Sequence, residues 1–75
     1  MNTKTFNEAK LKFTEGIKFF NEENYELAEK NFLESLNLAP QRLSVISNLI
    51  KIYIVRKKIQ KLDDILIKYK NLDNE

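Results

Sequence analysis

The 75-residue sequence contains no cysteine and no histidine, and it has one glycine and one proline. These absences exclude disulfides, thiolate nucleophiles and imidazole bases, and they remove nearly every transition-metal site. A single glycine cannot build a phosphate-binding loop. The adjacent acidic pairs Glu22-Glu23 and Asp63-Asp64 point about 100° apart on a helix, so neither pair acts together on one substrate. The sequence therefore predicts a protein that is not an enzyme and has no cofactor or metal.

Hydrophobic residues make up 43% and charged residues 32% of the chain, which is typical of a folded domain. At this length we expect one domain, residues 1–75. Lys51 and the basic residues 56–58 interrupt the richest apolar stretch, so no run reaches the ~20 residues of a membrane helix. Residues 1–12 lack the apolar core of a signal peptide. We expect a cytoplasmic protein that does not cross a membrane.

In the first 40 residues, apolar positions recur every three or four residues, which indicates two amphipathic helices. Thr5 and Glu8 have the spacing of a capping box, so we place the first helix at about 5–21. Asn24 is the expected N-cap of a second helix at about 25–38, and Pro40 ends it. A connection this short folds the two helices back into an antiparallel hairpin.

The spacings of small and aromatic residues in this hairpin resemble those of a tetratricopeptide repeat, carried by Gly16-x2-Phe19, Ala28-x3-Phe32 and the closing Pro40. The pattern restarts after 34 residues, the length of that repeat, with Ile46-x2-Leu49-Ile50-x2-Tyr53 and Leu62-x3-Leu66. We expect repeat one at 9–42 and repeat two at 43–71. The resemblance implies an all-α fold of antiparallel helix-turn-helix repeats, a short right-handed superhelix of about four helices.

Repeat two departs from repeat one at the helix crossing and at the turn. Ile50 stands where the first repeat has Gly16, and Leu62 where it has Ala28, so we expect the second hairpin to be wider or not to close. Residues 55–58 contain none of the residues that usually end or cap a helix. The 34-residue register favours a turn there. The alternative is one continuous helix with a heptad seam of Ile52, Val55, Ile59, Leu62, Leu66 and Tyr69.

The apolar surface of repeat two predicts a protein interface. The last helix carries more apolar residues than one hairpin partner covers, and such surface generally marks an interaction site. Two repeats are also fewer than the three that these stacks usually need. We expect a non-catalytic interaction module that forms a homodimer through repeat two, with a fused or exchanged helix pair as a variant. The expected self-association residues are Ile59, Leu62, Ile65, Leu66 and Tyr69.

In this family the first helix of each repeat lines a groove that holds partner peptides. Carried over to this chain, the groove comprises Phe13, Ile17, Phe20, Asn48, Lys51 and Ile54. Phe13 and Ile17 stand where the carboxylate-binding form of the groove requires a lysine and an asparagine. The groove is therefore apolar, and it either holds an apolar segment of another protein, such as an amphipathic helix, or is covered in a dimer or by an adjoining domain.

Two alternatives stay open. In the first, the chain is the N-terminal repeat fragment of a larger protein, such as an enzyme, and docks onto the rest of it. In the second, the basic cluster from Arg56 to Lys61 binds nucleic acid weakly, in keeping with a pI of 8.9. A net charge of only +2 weighs against the second alternative, and a solvated turn explains the same residues.

Overall fold

The computed structural model describes residues 3–70, and this range forms four α-helices with no strand. Helix α1 spans Thr3–Asn21, α2 spans Tyr25–Leu38, α3 spans Leu43–Val55 and α4 spans Ile59–Tyr69. Each helix packs against the next one in the chain. The predicted all-α class with four helices is confirmed. The predicted end of repeat two, residue 71, lies outside the described residues.

The two helices of the first hairpin differ in how well their starts were predicted. Helix α1 already includes Thr3, so Thr5 lies inside the helix and the predicted capping box of Thr5 and Glu8 is wrong. Helix α2 has the predicted bounds, and the Asn24 side chain accepts a hydrogen bond from the backbone N–H of Leu27 at 3.4 Å. This bond satisfies one of the N–H groups left unpaired at a helix start.

The turns after α1 and α3 have the same backbone geometry. In each turn one residue adopts a left-handed conformation, Glu23 with φ 62° and Lys57 with φ 57°. The N–H of the following residue then bonds to the carbonyl five positions back, at 2.9 Å in the first turn and 2.8 Å in the second. These features define the Schellman ending of a helix. Residues 56–58 therefore form a turn between α3 and α4, and the continuous-helix alternative is wrong.

Close packing of α1 on α2 depends on Gly16. A Cβ added to Gly16 would lie 2.5 Å from the ring of Phe32, which is completely buried. The buried Ser35 hydroxyl donates a hydrogen bond to the Ala9 carbonyl at 2.7 Å, which joins the same two helices nearer the start of α1. The nearest side chain to Gly16 is thus Phe32, rather than the Ala28 of the family pattern. The rest of the core lies mainly on α3, with Val45, Leu49 and Ile52 fully enclosed.

Helices α3 and α4 pack less extensively than α1 and α2. Ile65 is the α4 residue classed as buried, and Leu62 and Tyr69 are half-buried. Away from the turn, a cleft of about 340 Å³ separates the two helices. Ile50 and Leu66 lie on opposite walls of this cleft. The second hairpin is therefore the more open of the two, as the large residues at positions 50 and 62 predict.

Within residues 3–70, none of the four helices combines the length and the apolar character that a membrane span requires.

Candidate functional site

Helix α4 presents an exposed row of side chains along one side. Ile59, Asp63, Leu66 and Lys70 follow one another at intervals of three or four residues, so they share one helix face. Ile59 is 62% exposed and Leu66 is 47% exposed. Ile67, beside the row, is 68% exposed. We call these five residues the α4 face. Its apolar side chains are available for contact with another surface.

The predicted self-association residues have different environments. Ile65 is only 8% exposed and belongs to the core, while Leu62 and Tyr69 are half-buried and pack against that core. Ile59 and Leu66 are exposed. Ile67 is exposed as well, although it is not among the five predicted self-association residues. The sequence signal for its exposure is the run of three large apolar residues at 65–67. Three consecutive residues of a helix point in different directions, so one partner helix cannot cover all of them.

The α4 face continues into the cleft between α3 and α4. Leu66 and Lys70 form part of one wall, and Leu43 and the half-buried Ile50 form part of the other. Leu43 is itself 50% exposed. The apolar surface of the second hairpin therefore extends from α4 across the cleft to the beginning of α3.

Two opposite charges flank the apolar centre of the α4 face. The ion pairs recorded for residues 3–70 involve neither Asp63 nor Lys70. Their neighbour Asp64 accepts a hydrogen bond from the Gln60 side chain at 3.0 Å, on another side of the helix. Asp63 and Lys70 thus present charges to solvent that no side chain of the described chain neutralises.

The α1 part of the predicted groove is already engaged in packing. Phe13, Ile17 and Phe20 are half-buried and pack against the core. The Phe13 ring lies 5.8 Å from the Phe32 ring, and Phe20 makes an edge contact with Tyr25 at 5.6 Å. These aromatic contacts stabilise the first hairpin and leave only part of each ring for a partner.

The α3 part of the predicted groove is more accessible. Lys51 and Ile54 are exposed. The half-buried Asn48 donates its side-chain N–H to the carbonyl of Ser44 at 2.7 Å, within its own helix. The structure therefore places the six predicted groove residues on two helices with unequal freedom to bind.

Glu29 joins α2 to both helices of the second hairpin. The Tyr53 hydroxyl donates to Glu29 Oε2 at 2.9 Å, and the Lys61 ammonium donates to the same oxygen at 3.0 Å. Burial raises the pKa of the Tyr53 hydroxyl well above its usual range, and the hydrogen bond and charge of Glu29 raise it further. The hydroxyl therefore stays protonated, and keeps donating to Glu29, to a higher pH than an ordinary tyrosine would. This contact, which no sequence pattern indicated, links α2 to α3 through Tyr53 and to α4 through Lys61.

Acidic residues of α2 neutralise part of the basic cluster. Arg56 lies 3.9 Å from Glu26, and Lys61 lies 3.0 Å from Glu29. Lys57 occupies the left-handed position of the turn, and the next residue is the N-cap of α4. Two of the cations from 56 to 61 are thus paired within the chain, which lowers the positive potential that nucleic acid would meet.

A comparison of the chain with protein-family models, curated proteins and solved structures finds no match. The resemblance to the tetratricopeptide repeat therefore remains a prediction from the sequence.

Proposed function

We propose that this protein is a non-catalytic protein-interaction module that self-associates through α3 and α4, the second of two tetratricopeptide-like repeats. The α4 face is the observation that carries the proposal, because Leu66 and Ile67 are exposed beside an open cleft. Burying a fully exposed leucine or isoleucine side chain contributes roughly 1.5–3 kcal/mol, and Leu66 and Ile67, which are partly exposed, contribute a share of that value. A second copy that covers this face therefore gains stability that the single chain lacks.

The repeated backbone geometry supports the assignment of two repeats. The left-handed residues Glu23 and Lys57 lie 34 positions apart, and the two hydrogen bonds that define the Schellman ending occur at equivalent positions in both turns. Helices α1 and α3 end, and helices α2 and α4 begin, with the same 34-residue offset. In a right-handed superhelix of such hairpins each unit packs on the next. In a dimer, the second copy would cover the α4 face as one hairpin covers its neighbour in such a stack.

The alternatives have weaker support in the structure. The α1–α3 groove is a less accessible docking site for an apolar segment, because the Phe13 and Phe20 rings already contact Phe32 and Tyr25. Nucleic-acid binding is weakened by the ion pairs of Arg56 and Lys61 with acids of α2. Docking onto the rest of a larger protein would use the same α4 face as the dimer.

Sedimentation velocity at micromolar concentration tests the proposal on three proteins: wild type, Leu66→Lys and the control Leu11→Lys. Leu11 is 60% exposed on α1, so its substitution places the same charge at an exposed leucine outside the α4 face. We expect dimers of the wild type and of Leu11→Lys. We expect Leu66→Lys to be a monomer, because a lysine at the centre of an apolar interface must be desolvated.

Circular dichroism of the same samples distinguishes dissociation from unfolding. We expect the helix content of Leu66→Lys to stay close to that of the wild type, because Leu66 is half exposed in the single chain. A wild type that stays monomeric over the whole concentration range would contradict self-association. A dimer that survives Leu66→Lys would place the interface away from the α4 face.

A further inference from the structure

We propose that two copies of this chain pack their α4 faces antiparallel, with each Asp63 carboxylate opposite the Lys70 ammonium of the other copy. This inference rests on the proposed function, and it specifies the partner and the orientation of the contact. It follows from the positions of two charges relative to the exposed apolar residues of α4.

Asp63 and Lys70 lie at equal distances from the centre of the α4 face. They are seven residues apart, about two helical turns or roughly 10 Å, and Leu66 and Ile67 lie midway between them. A twofold axis through that midpoint brings position 63 of one copy opposite position 70 of the other. Because a twofold contact is made twice, one antiparallel register gives two pairs of opposite charge.

Other arrangements of the same helices bring like charges together. A parallel pair places the two Asp63 carboxylates opposite each other and the two Lys70 ammonium groups opposite each other. An antiparallel register centred on Asp63 also makes the two carboxylates neighbours. The charge pattern therefore discriminates against these arrangements as well as favouring the proposed one.

Within residues 3–70, the side chains required for this contact have no other charged partner. Asp63 and Lys70 are exposed and have no ion-pair partner among residues 3–70. Leu66 and Ile67 are exposed between them. Pairing two copies gives an apolar centre with charges at its edge, which is the usual arrangement of a protein interface. Leu43 across the cleft extends the apolar area that a second copy can cover.

A charge exchange between two variants tests the orientation. In homodimers, Asp63→Lys places lysines opposite each other and Lys70→Asp places aspartates opposite each other, so we expect each variant to dimerise about tenfold more weakly or worse than the wild type. An equimolar mixture of the two variants can form a heterodimer, in which both contacts join a lysine to an aspartate. We expect the mixture to regain the wild-type dimer fraction in sedimentation velocity at low salt, and to lose part of this gain in 1 M NaCl.

A matched pair of variants controls for general charge effects. Asp64→Lys and Lys68→Asp make the same changes on another side of α4, where Asp64 bonds to Gln60. We expect each of them to remain a dimer alone and the mixture to show no gain. This result would connect recovery in the first mixture to positions 63 and 70.

Each contrary outcome overturns a defined statement. If the wild type is a dimer but mixing Asp63→Lys with Lys70→Asp restores nothing, the antiparallel register is wrong and self-association stands. Dimers of both single variants as stable as the wild type, as expected for exchanged helices, also overturn the register. If the wild type is a monomer, the proposed function fails and this inference fails with it.

Discussion

The two hairpins of this protein share one turn geometry and differ in how closely their helices approach. Glu23 and Lys57 adopt the same left-handed conformation, and both turns contain the two hydrogen bonds of the Schellman ending. In the first hairpin the missing side chain of Gly16 leaves room for the ring of Phe32, whereas in the second hairpin Ile50 lines an open cleft. The turn thus determines that the chain folds back, and the residue at the crossing determines how much surface the hairpin buries.

The consequence is clearest at corresponding positions. Phe32 in α2 and Leu66 in α4 occupy the same place in the 34-residue pattern, yet Phe32 is 0% exposed and Leu66 is 47% exposed. A large apolar side chain at this position stabilises the fold in the first hairpin and remains accessible in the second. A loosely closed hairpin therefore supplies an interaction surface without any change in the helical pattern.

The largest expected effect is the contrast between Phe32→Ala and Leu66→Ala. Truncating the buried phenylalanine removes packing and leaves a cavity, which should lower the free energy of unfolding by about 3–5 kcal/mol. Truncating the half-exposed leucine should cost less than about 1 kcal/mol in the monomer. Urea denaturation followed by circular dichroism, at concentrations low enough to exclude dimers, measures both values. Similar losses for the two variants would show that α4 is as closely packed as α2.

An intermediate effect is expected when the crossing of the first hairpin is made like that of the second by Gly16→Ile. The added side chain meets the buried Phe32 ring, so the free energy of unfolding should fall by about 1–3 kcal/mol. Thr14→Ile is the control, because it introduces the same residue at an exposed position of α1 and should change stability by less than about 0.5 kcal/mol. Thermal unfolding measures both. Equal effects would mean that Gly16 does not determine the approach of the helices.

These contrasts also explain how much of the fold the sequence could predict. The bounds of α2 were predicted well, because Asn24 and Pro40 act through local chemistry at the two ends. The start of α1 was placed too late, because the spacing of Thr5 and Glu8 fits a capping box and equally fits two polar positions inside a helix. The openness of the second hairpin followed from the size of Ile50 and Leu62.

The site was harder to predict than the fold. Hydrophobic pattern identified α4 as the element with excess apolar residues, but it could not separate the buried Ile65 from the exposed Leu66 and Ile67. That distinction depends on how α4 packs on the rest of the fold, where Lys61 of α4 bonds to Glu29 of α2 and Glu29 bonds to Tyr53 of α3. Contacts between residues more than 20 positions apart leave no local trace in one sequence.

The smallest expected effect concerns the left-handed residue that each hairpin has in its own turn. The sign of the change in stability distinguishes a turn from a continuous helix. Lys57 has φ 57°, a conformation that costs a residue with a Cβ roughly 1–2 kcal/mol and costs glycine little. Glycine also loses more entropy on folding, which offsets part of the gain. Lys57→Gly should therefore stabilise the protein by about 0.5–1 kcal/mol. A continuous helix through residues 55–58 would give the opposite sign, a loss of about 1 kcal/mol.

Lys58→Gly is the matched control for this measurement. It removes the same charge one residue later, at φ −88°, where glycine has no conformational advantage, so stability should be unchanged or fall by up to about 1 kcal/mol. Glu23→Gly should stabilise the first turn for the same reason as Lys57→Gly stabilises the second, since its φ is 62°. Equal gains at 23 and 57 in urea denaturation would show that the turns are energetically equivalent. The difference between the hairpins would then lie in the packing of their helices alone.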